Sequence, residues 1–67
     1  MKIRDVTPLS FSCDGGGCPA IYETDKGTYL IIGSMVESPE KLLPGKIGWD
    51  EMVVEISADL IRGLKTE

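Results

Sequence analysis

Cys18-Pro-Ala-Ile-Tyr-Glu-Thr-Asp-Lys-Gly-Thr-Tyr-Leu-Ile-Ile-Gly33 is the stretch whose reading decides the fold. Ala20 to Glu23 and Thr28 to Ile32 are rich in β-branched, aromatic and aliphatic residues, which suit a pleated, half-buried surface. Thr24-Asp25-Lys26-Gly27 lies between them. Asp starts a type I turn by hydrogen-bonding the backbone ahead, and Gly tolerates the left-handed conformation that closes it. The stretch therefore reads as a β-hairpin.

Its two strands differ in pattern. Tyr29 and Ile31 point to one face and Leu30 and Ile32 to the other, so the second strand is apolar on both sides. Burial on both faces is the usual reason for that pattern, which predicts a central strand with Leu30, Ile31 and Ile32 in the core. Ile21 and Glu23 share a face opposite Tyr22, which predicts a peripheral first strand. Tyr22 and Tyr29 are expected to meet as a cross-strand aromatic pair.

Upstream of the hairpin, Lys2 to Val6 reads as a short strand with Ile3 inward, ended by Pro8. Leu9-Ser10-Phe11-Ser12 alternates strictly, so a second short strand is expected there. Cys13-Asp-Gly-Gly-Gly-Cys18 is a loop, because consecutive glycines carry no side chains to pack a helix or strand. Pro19 holds Cys18 extended at the hairpin entrance.

Downstream, Gly33 reads as a kink or bulge, with Met35-Val36 continuing the strand beyond it. Ser38-Pro39-Glu40 is a helix start, with Ser38 at the N-cap and Pro39 in the first turn. Pro44-Gly45 ends that helix after barely a turn. Trp49, in the loop that follows, is expected to fold back onto the core.

Glu51 to Ile56 alternates, with Met52, Val54 and Ile56 on one face, and reads as a strong strand. Glu51 and Glu55 share its other face, which reads as solvated. Ser57 caps a short helix from Ala58 to Leu64, whose Leu60, Ile61 and Leu64 form an apolar stripe. Ile56 and Ile61 stand where a hydrophobic staple would close. The sum is one small domain, 1–67, of class α+β with β dominant. About four short strands, mostly antiparallel, are joined by a helical turn and a short C-terminal helix.

Composition narrows the function. A chain of 67 residues lies near the lower limit for a self-sufficient core. Such domains commonly need a disulfide, a metal or a second subunit. The seven basic residues are scattered and the net charge is −4, so no cluster exists to neutralise nucleic-acid phosphates. No apolar run approaches the roughly 20 residues that span a bilayer. The start, Met1 to Pro8, lacks the apolar segment of a signal peptide. The expectation is a cytoplasmic chain that binds neither nucleic acid nor membrane.

The chain has no histidine, which excludes His-based nucleophilic, metal and acid–base chemistry within one chain. Cys13 and Cys18 leave four readings open: two unpaired thiols, a disulfide, a metal half-site, or thiol redox exchange. A zinc at Cys13 and Cys18 would need two further ligands, from carboxylates such as Asp14 or from a second subunit. Redox exchange normally uses closer Cys-x-x-Cys spacing. The glycines 15–17 could turn backbone N–H groups to an anion, but lack the Lys-Ser/Thr and helix start of a phosphate loop. No set of nucleophile, base and oxyanion donor assembles.

The pattern Cys-Pro, aliphatic-Tyr, Thr-Asp-x-Gly-Thr and aromatic, carried by Cys18 to Leu30, resembles that of a group of short uncharacterised bacterial proteins. The similarity extends to Glu51 to Ile56 and the helix after it. It implies a stand-alone small domain and carries no catalytic residue. The reading favoured is a non-catalytic protein-interaction or accessory module, partnered by another protein or by itself as a homodimer. The alternative is a metal-binding or thiol-redox protein using Cys13 and Cys18.

Overall fold

The computed structural model describes residues 1–11 and 17–64. Along the chain come β1 (Ile3–Asp5), a 3-10 helix (Leu9–Phe11), β2 (Ala20–Thr24), β3 (Tyr29–Ile32) and β4 (Ser34–Met35). Helix α1 (Pro39–Leu42), β5 (Val54–Glu55) and helix α2 (Ala58–Arg62) complete it. The class is α+β with β dominant, as the residue patterns predict. The strands divide between two antiparallel sheets, β1-β2-β3 and β4-β5.

The hairpin forms for the reasons legible in its turn. Gly27 takes φ +78°, and the Thr24 N–H donates to the Thr28 carbonyl at 2.9 Å. The buried Thr24 hydroxyl also accepts from the N–H groups of Lys26 and Thr28, and it shares a 2.6 Å hydrogen bond with the Thr28 hydroxyl. Those bonds satisfy a polar side chain that burial would otherwise penalise.

The order of strands corrects the expectation for the hairpin: β2 is central and β3 is an edge. β1 returns along the other side of β2, pairing Arg4 with Glu23 and Asp5 with Tyr22. Arg4 and Glu23 also meet as a 2.7 Å ion pair. Exposed as it is, that pair contributes little to stability. Leu30, Ile31 and Ile32 are accordingly exposed, at 44%, 43% and 52%, rather than core. Ile3 is exposed too, and not inward.

The core consists of Val6, Ile21 and Leu60, with Phe11, Ile56 and Leu64 packed against it. Val6 lies beside Ile21 because the Val6 N–H donates to the Ile21 carbonyl at 3.0 Å. Thr7 continues the join with its side chain, its hydroxyl accepting from the Ile21 N–H at 3.0 Å and donating to the Ile21 carbonyl at 3.3 Å. Its own N–H donates to Asp5 Oδ1, turning the chain out of the strand. Leu9 to Phe11 is then a 3-10 helix and not a strand, with the Phe11 N–H bonded to the Pro8 carbonyl. Ser12 lies outside the described residues.

α2 brings Leu60 over Ile21. Ser57 caps it as its sequence predicts, the hydroxyl accepting from the Asp59 N–H at 3.2 Å. Gly63 ends it, two residues short of the expected bound. Of the expected stripe, Leu60 is fully buried and Ile61 is half exposed. Ser38 does precede α1, but in the left-handed region at φ 50° and without a side-chain cap.

Two further expectations fail for identifiable reasons. The strand expected over Glu51 to Ile56 shortens to Val54–Glu55, because β4, its partner, is itself only Ser34–Met35. Trp49 is 98% exposed, not folded onto the core. A tight turn holds it out: the Glu51 N–H donates to the Gly48 carbonyl, and Glu51 Oε1 accepts from the Gly48 N–H at 2.7 Å.

Candidate functional site

The two sheets meet at Gly33, between β3 and β4. A Cβ there would stand 2.7 Å from Ile56 Cγ2 and 2.8 Å from the Glu55 carbonyl oxygen. Only glycine lets the chain after β5 lie that close. An open cleft of about 520 Å³ forms beside the junction, bordered by Cys18, Pro19, Ile32, Ser34, Glu55 and Ser57.

Cys18, one of the two expected site residues, therefore stands at the rim of the cleft, and it is disulfide-bonded. A sulfur in that state is no thiolate and offers no metal bond until reduced. The sequence holds one other cysteine, Cys13, which lies outside the described residues, as do Asp14, Gly15 and Gly16. Ser57 directs its hydroxyl oxygen to the cap of α2. Among the described residues no group of three or more His, Cys, Asp or Glu side chains could hold a metal ion. No buried side-chain polar atom among them lacks a hydrogen-bond partner.

The second feature is apolar. β3 presents Tyr29 and Ile31 on one face and Leu30 and Ile32 on the other, all between 43% and 52% exposed. Register separates the two tyrosines expected to pair: Tyr22 opposes Leu30 and Tyr29 opposes Glu23, which puts the rings on opposite faces. Tyr29 instead extends the exposed apolar strip of the edge strand. Met35, Trp49 and Met52, at 90%, 98% and 84% exposed, add apolar surface elsewhere.

The whole-chain dimensions agree. The accessible surface is 5502 Å², against about 4,200 Å² for a compact monomer of this mass. The radius of gyration is 13.4 Å, where about 11 Å is usual for this length. Residue patterns located the apolar strand and missed its exposure. No local signal could have found it, because an uncharged strand such as Tyr29 to Ile32 reads as buried on both faces. No helix among the described residues is long and apolar enough to cross a membrane.

Comparison with known proteins adds nothing to this geometry: no family model, curated protein or solved structure matches the chain.

Proposed function

We propose that the chain is a non-catalytic protein-interaction module whose working surface is β3. One observation carries the reading: a strand apolar on both faces lies at a sheet edge, exposed, while the core cluster among the described residues is as small as Val6, Ile21 and Leu60. Apolar side chains exposed together along one strand are a common feature of protein–protein contact surfaces. An open edge adds unpaired backbone groups that a partner strand can meet.

Photo-cross-linking from Leu30 or Ile32 in living cells tests it. A discrete protein adduct, to a second copy or to another polypeptide, is the expected result. It should vanish, with the cross-linker kept in place, when Tyr29 and Ile31 are both changed to Ser. The absence of any adduct from either position would overturn the reading.

Cys18 supports a second reading, a thiol-linked protein in which reduction of the disulfide at the cleft rim alters the cleft or frees a thiolate for metal. Free-thiol titration and metal analysis of protein purified from cells test it. A disulfide inert to cellular reductants, with no metal bound, would remove it.

A further inference from the structure

We infer that the partner of β3 is β3 of a second copy, joined edge to edge about a two-fold axis centred on Leu30. The inference rests on the reading of β3 as the working surface and specifies what occupies it.

Hydrogen-bond alternation fixes which backbone groups are available. The Thr24 N–H donates to the Thr28 carbonyl, and Tyr22 opposes Leu30 and Ala20 opposes Ile32. In an antiparallel ladder the bonded pairs recur every second residue. Thr28, Leu30 and Ile32 therefore bond inward to β2. The N–H and C=O groups of Tyr29 and Ile31 point outward. The opposite parity on β2 agrees, since Ile21 and Asp25 bond toward β1. Among the described residues β3 has a strand partner on one side only.

A two-fold axis at Leu30 uses those outward groups fully. Tyr29 then faces Ile31 of the other copy, and Ile31 faces its Tyr29, each couple exchanging both of its hydrogen bonds. Leu30 meets Leu30 across the non-hydrogen-bonded position, where side chains approach most closely. Tyr29 against Ile31 is an aromatic–β-branched pair, a favourable cross-strand combination. Shifting the axis to Ile31 would oppose Tyr29 to Gly33, which the chain after β5 already crowds.

Two things favour a second copy over a different partner. The segment is self-complementary in this register, as an isologous contact requires. It bears no charge, proline or bulge between Thr28 and Ile32, the usual devices that stop an edge from pairing with itself.

Amide hydrogen exchange on the unmodified chain, followed by NMR across a wide range of concentrations, reads the register directly. Leu30 and Ile32 amides should be protected at every concentration. Those of Tyr29 and Ile31 should gain at least tenfold protection as concentration rises. Concentration-independent, rapid exchange at both would overturn the inference. Leu30→Lys and Leu30→Glu provide the second arm, at a position exposed enough for either charge.

Each variant alone should sediment as a monomer, and an equal mixture should form a heterodimer. Dimers that survive Leu30→Lys alone would overturn the register. A cross-link from Leu30 only to a different polypeptide would overturn self-pairing while leaving the interaction module standing.

Discussion

Thr7 holds the core together with a hydroxyl. Its oxygen both accepts from and donates to the backbone of Ile21, a residue 1% exposed, in the space where a strand partner would otherwise stand. Thr7→Val keeps the branched shape and removes both bonds, leaving the Ile21 N–H buried and unpaired. We expect a loss of about 1–3 kcal/mol in denaturant unfolding, largely restored by Thr7→Ser. Nothing local distinguishes this threonine. Its partner lies 14 positions along the chain, and no propensity or spacing connects the two. Ser57 is the opposite case: its cap on α2 depends on the next few residues, so the sequence is sufficient to locate it.

At the scale of elements, the junction between β3 and β4 depends on a contact and not on backbone freedom. Gly33 has no left-handed φ, but a Cβ would enter both Ile56 and the Glu55 carbonyl. Gly33→Ala should therefore cost about 1–3 kcal/mol and loosen β4 from β5, read as faster amide exchange at Val54 and Glu55. A kink at Gly33 was legible from its place in an apolar run. What makes glycine necessary was not, because Glu55 and Ile56, which crowd it, lie 22 and 23 positions further along the chain.

β3 shows the same divide. Its apolarity on both faces is written in Tyr29 to Ile32, and its usual cause is burial. Here the cause differs. β1 takes the far side of β2, and α2 covers the core at Ile21, leaving β3 at the edge.

For the molecule as a whole, the question is how so short a chain holds together with a core of Val6, Ile21 and Leu60. Small domains supplement such cores with covalent or subunit staples. Cys18 is disulfide-bonded, and the sequence holds one other cysteine, five positions upstream; a bridge between the two would close a short loop. The chain-entropy model gives about 2 kcal/mol for it. Reduction should lower the unfolding midpoint accordingly, with intact mass before and after reduction confirming the bond. An unchanged midpoint would show that the bridge contributes nothing to folding.

The sequence by itself determined the elements whose causes are local. The hairpin turn closes on Gly27, Ser57 caps α2, Pro39 opens α1, and β outweighs α throughout. Each follows from residues within a few positions of one another. Tertiary structure alone decided which strand is central, that Trp49 projects outward, and that the tyrosines lie on opposite faces. The apolar strand Tyr29 to Ile32 is where the two meet. Its composition calls for burial, and the pairing of β1 with β2 leaves it exposed at the sheet edge instead. The physical reason is that apolar patterning measures the need for burial, whereas position in a sheet depends on contacts between residues far apart in the chain.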